Sequence, residues 1–569
     1  MPALTNPIPT PSATGRRLQG VALSLASGLT LLLMQPAAQA TVNTSNGNWT
    51  VSYDEIDPET IDGRFDFTRV YNNRDARDGW FGIGWGTSFE HTLTPMADGS
   101  VVIQAFGGGR LIWFGQPSDA RVEAGVDRLM AEMQKAGAVP PGEAAATRKR
   151  LLGSLEQRVV ATRKLPTPFS IPVGTDLPSG QRDSTLDPNA EKLLEVPEWL
   201  LQLFPEAHAM VNEIRKTLAA CSRVKVTPAG FERLYCDKEL ELQTFRFDPQ
   251  GQLTGYAWPD GYELRFQGHA ARHRPASIVD TEGHALKLGW DAKGHLTELR
   301  WTNVEGKPER YVYKYNAAGD LVSERTTSGG GFDRTYDTRH NMTSISYIDG
   351  TKQLLSYDAR DRLVKRVTRA GITQTFAYEG DPQGLRSVRV ESPGRSALYR
   401  YNADNDLIQE TQGDRLVMEK RFDARGRLVA IQRGSQVLTA TYDDQGRRRT
   451  MSGLGRSFEM SYNAAGLLER LASLSTQDGQ PLTSLALQYD SHGVVVGGDF
   501  QVRRSNIAAG SFRVLFDSQG QVSGVVDPAD PSGAKLQLRM KWIKEFQESA
   551  QEFEEPFTTT SFRKVEAPK

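Results

Sequence analysis

From Phe247 onward, short strand-like runs alternate with turns on a fixed period. Leu363 to Arg369 is β-branched and charged, Ala370-Gly371 is a turn signal, and Ile372 to Tyr378 is strand-like again. One unit is thus two strands of about seven residues joined by a tight turn. Each unit closes on one signature: an aromatic, Asp or Asn, two or three turn-forming residues that often include Gly, then an aliphatic. Phe247-Asp248-Pro249-Gln250-Gly251-Gln252-Leu253 and Tyr462-Asn463-Ala464-Ala465-Gly466-Leu467-Leu468 are clear copies. The anchors are Phe247, Trp290, Tyr315, Tyr336, Tyr357, Tyr378, Tyr401, Phe422, Tyr442, Tyr462, Tyr489 and Phe516. Most successive gaps are 20 or 21 residues, and the first, of 43, holds two periods with a degraded copy at Phe266-Gln267-Gly268. A period of this length marks a repeat architecture.

The residue types have physical reasons. Asp or Asn after the aromatic can accept hydrogen bonds from backbone amides two residues on, and Gly supplies positive φ. The anchor ring is expected to bury its area against its counterpart in the next unit. The units build a staircase of hairpins that cannot bury their faces alone.

Elsewhere the pattern breaks. Residues 1–40 carry two charges, Arg16 and Arg17, then an apolar run from Val21 to Met34 and an Ala38-Gln39-Ala40 site. A basic start, an apolar stretch too short to span a bilayer and an A-x-A site together read as a secretory signal peptide. Gln19 and Gly20 follow the Arg pair where a twin-arginine signal wants bulky apolar residues, which favours the general secretory route. No later apolar run is long enough to span a membrane. Between Pro117 and Cys221 the repeat disappears; Leu151, Leu152, Leu155 and Val159, and Ala207, Met210, Val211, Ile214 and Leu218, fall at helical spacing. This insertion reads as mainly helical, with a loop over Pro166 to Asn189. It is either a lid or plug at an opening of the repeat array, or a surface decoration. Past Val526, Lys535 to Phe553 reads as strand then helix, with Trp542, Phe546 and Phe553 as apolar points.

Composition narrows the function classes. With 68 basic and 69 acidic residues among 569, formal charge is −1, so no global field draws the chain to nucleic acid. The two cysteines, Cys221 and Cys236, lie 15 positions apart. In an oxidising compartment they would close a structural disulfide worth roughly 3 kcal/mol; the alternative is two unrelated buried thiols. No Gly-x-Ser-x-Gly, His-Glu-x-x-His or Gly-x-x-x-x-Gly-Lys occurs, so hydrolase elbow, zincin and P-loop are unsupported. His269 and His273, with Glu282 and His284 nearby, lie in repeat turns and read as turn residues rather than zinc ligands. Glycines 107–109 and 329–331 read as turns. No catalytic, cofactor or metal residues are assigned, and an enzyme is not expected.

The Y-D-x-x-G-x-L period resembles the YD repeat of the RHS family, including teneurin YD shells and the B/C subunits of insecticidal toxin complexes. Arg69-Val70-Tyr71-Asn72-Asn73-Arg74, followed by Gly79-Trp80-Phe81-Gly82-Ile83-Gly84-Trp85, is similar to the opening of RHS proteins. Gly107 to Phe114 fits the strand that follows it. The resemblance implies a mainly β fold: a spiralling YD-repeat β-hairpin shell, open or a half cocoon, with a helical insertion. The expected divisions are a signal peptide over 1–40, an N-terminal RHS-type β region over 41–116, the insertion over 117–222, the shell over 223–526 and a strand-plus-helix tail over 527–569. Asp530-Pro531-Ser532-Gly533 is similar to part of the conserved core that ends longer relatives, but Ala534 and Lys535 depart from it, and the implied self-cleavage and C-terminal toxin are not expected.

Thirteen units of two strands give a ribbon about 125 Å long, which closes to an inner width of about 30 Å at most. A folded cargo of about 100 residues would barely fit. The expectation is an exported, non-enzymatic shell that encapsulates or scaffolds a polypeptide cargo or a second RHS-type chain in a toxin or cell-contact system. The alternative is a periplasmic, secreted or surface protein binding through the outer face of the array, with a cell-surface glycan as a candidate ligand. Neither uses a cofactor, nucleic acid or a membrane span.

Overall fold

The computed structural model describes residues 40–56, 64–65, 67–105, 110–115, 118–179, 197–203, 211–216, 221, 223–236, 242–269, 271, 273–380, 386–403, 405–504, 507–516 and 522–558. The signal-peptide reading, glycines 107–109, and Ala207, Met210 and Leu218 lie outside them, as does the Phe553 side chain.

Twenty-nine strands, from Asp176–Pro178 to Val522–Val526, follow one another in chain order in a single open sheet. The protein is mainly β, as the period predicts. Eleven of the twelve anchors end a strand, and there the ladder slips by one residue. Tyr378 is the exception. Its strand runs on to Gly380 in unbroken register, because Glu379 stands where the other units carry a turn-forming Asp or Asn.

The turn chemistry goes further than the sequence suggests. Asp291 Oδ1 accepts from the amides of both Lys293 at 2.8 Å and His295 at 2.9 Å, and Asp423 does the same for Arg425 and Arg427. One carboxylate therefore closes the turn at two points. The anchor hydroxyl then ties units together: Tyr315 donates to Leu296 O at 2.7 Å, Tyr442 to Leu428 O at 2.8 Å and Tyr489 to Leu468 O at 2.7 Å. Arg427 and Arg447 each grip the Asp of their own turn and lie over the anchor ring of the next unit, Tyr442 and Tyr462, at 4.6 and 4.4 Å. A hydroxyl bond and a stacked guanidinium make the link, rather than the ring-on-ring packing expected of the anchors.

A sheet with one apolar face needs a cover. For the first half of the array the cover is the N-terminal region. Its four-stranded sheet comprises Ala40–Asn43, Asn48–Asp54, Thr68–Asn72 and Trp85–Thr87. Trp49, Tyr71, Trp80, Phe81 and Trp85 join Leu264, Leu296, Leu321, Met342 and Leu363 in one continuous core. For the second half the cover is helical. Trp199, Leu200 and Leu203, on the helix Glu198–Leu203, pack with Ile543, Phe546 and Ala550 against Met451, Phe458, Leu471 and Phe500.

The insertion divides in two. Helices Asp119–Lys135, Ala144–Gly153 and Leu155–Arg163 pack on the three-stranded sheet of Thr92–Pro95, Val101–Ala105 and Arg110–Phe114, away from the array. Residues 211–216 are also helical, and the expected loop over 166–189 contains the short strand Asp176–Pro178. Cys221 and Cys236 form a disulfide with Cα atoms 5.5 Å apart.

The tail corrects one expectation. Leu536–Thr558 is a helix from its first residue, with no leading strand. The alternating Leu536, Leu538 and Met540 resemble a strand, but burial follows Ile543, Phe546, Gln547 and Ala550, a helical spacing. Asp530 Oδ2 accepts from the Lys535 amide at 2.6 Å just ahead of the helix, and Arg539 pairs with Asp527 at 2.8 Å.

Tyr442→Phe removes the half-buried hydroxyl bond to Leu428 O together with the one accepted from Arg448 Nη1, and no apolar surface, so urea unfolding should show a loss of roughly 1–3 kcal/mol. An unchanged midpoint would mean that the hydroxyl adds nothing between units.

Candidate functional site

The N-terminal region meets the array along the row of turns. The ladder slip turns the amide after each turn out of register, and the cover supplies acceptors. Leu296 N donates to Trp80 O at 2.7 Å, Met342 N to the Tyr71 hydroxyl at 2.9 Å and Leu363 N to Gly47 O at 2.9 Å. Tyr71 in turn donates to His340 O. Asn73 accepts from Trp49 N at 2.7 Å and donates to Asp361 O at 2.6 Å. Further along, Leu468 N donates to Gln202 Oε1 at 2.6 Å from the helix Glu198–Leu203. The approach is close: a Cβ at Gly82 would lie 2.2 Å from Gly319 O.

Inside this seam lies a buried ionic cluster. Arg69 pairs with Glu55 at 2.8 Å and Glu324 at 2.7 Å, and Arg334 reaches Glu324 at 3.1 Å. Tyr313 donates to Glu55. All five are almost wholly buried. The Arg69 guanidinium also sits over Trp85 at 4.5 Å and Phe81 at 4.7 Å, so nitrogens without an oxygen partner face rings. Burial pushes the Glu55 carboxyl up to about 7. Burial also opposes ionisation of Glu324, but Arg69 and Arg334 outweigh it and hold that carboxyl below its ordinary value. The cluster is closed to solvent, and its chemistry is structural: it staples the Thr68–Asn72 strand to two array strands.

A second constellation is open. A cavity of about 310 Å³ is lined by residues of three parts of the chain: Arg77 to Trp80 and Glu90 from the N-terminal region, Arg163 from an insertion helix, and His269, His273 and Arg274 from the array. Glu90 Oε1 accepts from Trp80 N at 2.7 Å, while its Oε2 is buried without a hydrogen-bond partner among the described residues. Burial raises the Glu90 carboxyl to about 7, although Arg274 and Arg77 pull the other way. Arg163 donates to Thr94, Gln104 and Thr92, and Asp78 Oδ1 accepts from His295 Nε2 at 2.8 Å. A carboxyl poised near neutrality among guanidiniums can bind a polar ligand or exchange a proton.

His269 and His273 thus line a cavity, which the sequence did not suggest. His284 and Glu282 lie elsewhere, with Asp280, and their ligand atoms cluster within 4.8 Å. That cluster is a closed turn: Asp280 accepts from the Glu282 and His284 amides, and from the Tyr262 hydroxyl.

Comparison with known proteins adds the lineage. The family model described as Teneurin YD-shell matches residues 269–433, and that described as Domain of unknown function (DUF6531) matches residues 39–114. Over these two stretches the chain is similar to the RHS/YD-repeat family. Double-stranded DNA deaminase toxin A of Burkholderia cenocepacia (strain H111) is 28% identical over 166 residues, 29% of this chain and 11% of that protein. Teneurin-1 of Mus musculus is 23% identical over 254 residues, 43% of this chain and 8% of its own length. The chain thus spans about a tenth of these relatives. Among solved structures, the Photorhabdus luminescens Tc holotoxin pore is 13% identical with a TM-score of 0.28, covering 53% of this chain and 22% of that one.

In this YD-repeat protein the R-V-Y-N-N-R motif acquires a purpose: Arg69 anchors the ionic cluster, and Tyr71 and Asn73 bind the turn row. Glu324 escaped the sequence reading, although a faint signal existed. Three residues after the anchor's post-turn partner, five other units place Leu299, Ile345, Ile431, Met451 and Leu471, all buried, while Arg366 and Glu410 are charged residues at the same position. Glu324 departs from those five. Glu55 and Glu90 had no such signal.

Removing one partner of a buried ion pair strands the others. Glu324→Ala should therefore cost roughly 3–5 kcal/mol in denaturant unfolding, and a loss under one would mean that the cluster is not coupled to folding. For Glu90, a raised folded-state value means that the proton is held more tightly when folded. Its stabilisation is full below about 4.5 and is lost as pH climbs through about 7. His91, lowered to about 3 by burial and by Arg233, works in the opposite direction over part of that range, so the comparison must be with a variant. The stability of Glu90→Gln relative to the parent should rise by up to roughly 3 kcal/mol from pH 4.5 to 7 and level off above. A flat difference would place the carboxyl in contact with water.

Proposed function

We propose that this chain is an exported, non-enzymatic scaffold subunit of a toxin or cell-contact system, in which the YD-repeat array wraps polypeptide supplied by its own chain and meets partners with its outside. One observation carries the reading. The apolar face of the array is covered by two continuous cores built from the N-terminal region and from the helices Glu198–Leu203 and Leu536–Thr558. A hydrophobic face already buried has little left to offer a folded cargo. The helix Leu536–Thr558 is held there by Gln547, which donates to Leu203 O at 2.6 Å in a buried setting.

Export rests on the signal-peptide pattern of residues 1–40, on the Cys221–Cys236 disulfide, which belongs in an oxidising compartment, and on the extracellular character of teneurins. Among the described residues no helix is long and apolar enough to cross a membrane. A second reading, a small-ligand function for the cavity at Glu90, has the unpartnered carboxyl oxygen in its favour. It is compatible with the scaffold role.

Protein purified from its native envelope should begin near Thr41 by N-terminal sequencing. Cryo-electron microscopy should then show the space beneath the array filled by this chain alone. Foreign polypeptide density there, identified by mass spectrometry as a protease-protected second chain, would replace the self-filled scaffold with an encapsulating shell.

A further inference from the structure

The two ends of the sheet are finished differently. At the first, Asp176–Pro178 carries a proline and is continued by a bridge from Ser179 to Phe114, with Gly115 N donating to Pro178 O at 2.7 Å. At the other, Val522–Val526 pairs with Ile507–Phe516 on one side, and among the described residues none of its backbone groups bonds to anything else. An open edge is normally guarded by a charge, a proline or a bulge that turns it away. The strand reads Val-Ser-Gly-Val-Val and has none of the three along its free side.

The side chains beside that edge are apolar and exposed. Val526 is 53% exposed and Leu515, on the neighbouring strand, 38%. Leu515 lies between Gly497 and Gly524, so nothing taller shields it on that face. Leu536 and Leu538, at the start of the final helix, are also exposed. The charges nearby are already matched: Asp527 with Arg539 at 2.8 Å, and Asp499 with Arg513 at 3.7 Å.

We propose that Val522–Val526 is a docking edge for a second copy of this chain, the two strands pairing antiparallel about a two-fold axis at Gly524. The sequence suits that symmetry. With Gly524 opposite its mate, Val522 faces Val526 and Ser523 faces Val525, so no charge meets a like charge and two valines close each end. The pairing continues the ladder already running through twenty-eight antiparallel steps of this sheet. Five residues make a short strand, and the flanking Leu515, Val526, Leu536 and Leu538 supply the apolar area that a strand pair alone lacks. The result is a reversible dimer rather than an obligate one.

The full chain, in sedimentation velocity from nanomolar to tens of micromolar, should pass from monomer to dimer. Ser523→Lys and Val526→Lys set a lysine against the second copy's Val525 and Val522 on exposed positions, and each should weaken dimerisation at least tenfold while leaving the unfolding midpoint unchanged. Gly524→Cys gives a geometric readout. Both native cysteines are engaged in the disulfide, and directly opposed residues of an antiparallel pair have Cα atoms about 5 Å apart. Mild oxidation should therefore yield a covalent dimer through residue 524, whereas Ser511→Cys, on the outer face of the preceding strand, should not cross-link. A chain monomeric at every concentration, a dimer indifferent to both lysines, or cross-linking equal at the two cysteine positions would overturn the proposal. So would a different polypeptide that occupies this edge and is released by the same lysines.

Discussion

The ladder slip at each anchor organises the whole molecule. When the strand passes its aromatic and enters the Asx-closed turn, the register shifts by one, and the amide of the following aliphatic leaves the sheet's own hydrogen-bonding scheme. A buried amide without an acceptor costs about as much as a lost hydrogen bond, so every turn creates a demand. Trp80 O, the Tyr71 hydroxyl, Gly47 O and Gln202 Oε1 meet it at Leu296, Met342, Leu363 and Leu468. These acceptors come from elements far apart in sequence, and the seam they form explains why so much of the N-terminal region is aromatic. Glycine enters for the same reason. At Gly82, with φ of +85°, both the backbone conformation and the 2.2 Å approach of Gly319 O exclude a side chain.

The seam also accounts for the buried ions. Arg69, Glu55, Glu324 and Arg334 would be replaced without loss by aliphatics of similar volume in many cores. Here they have a directional task that aliphatics cannot perform. Glu324 and Arg334 lie on adjacent array strands, Arg69 and Glu55 in the N-terminal region, and the bonds among them accept one registration of cover against array. Apolar contacts between a repetitive sheet and its cover would tolerate a slip of one unit, because the next unit offers similar leucines. An ionic cluster that exists in one unit does not slide. The same logic suits Gln202 and Gln547, buried amides that fix the two helices over the second half.

The array was legible in the sequence because its period is enforced residue by residue: anchor, Asx, glycine and aliphatic each answer a local backbone need. Even Tyr378, where the slip is missing, betrays itself through Glu379. The helices Ala144–Gly153 and Leu155–Arg163 were readable from the spacing of Leu151, Leu152, Leu155 and Val159, whereas Asp119–Lys135 was not marked by any such run. What covers the array was not, because it depends on which distant surfaces meet. The alternation of Leu536, Leu538 and Met540 pointed to a strand, and tertiary burial through Ile543, Phe546 and Ala550 overrode it. The cavity at Glu90 was invisible for the same reason: its walls come from three parts of the chain, and no stretch holds more than a few of its residues. The ionic cluster was only faintly legible: Glu324 sits where five units carry an apolar residue, but Arg366 and Glu410 stand there too, and its partner Glu55 carries no local mark.

Closure of the interior changes what an open repeat array can do. A hollow shell recruits by enclosing, and its specificity lies in volume and lining. A filled one recruits by its surface, its edges and the stability of its filling. The helix Leu536–Thr558 packs on the apolar face of the sheet through Ile543, Phe546 and Ala550 while leaving Leu536 and Leu538 exposed at its start. It is therefore both the filling of the second half and a neighbour of the free edge at Val522–Val526, to which Arg539 and Asp527 bind it. Whatever strains that helix must disturb the edge, and whatever pairs with the edge rests on the helix beneath. The first half is held instead by an aromatic seam and a registered ionic cluster, so the two halves of the sheet are covered by different physical means.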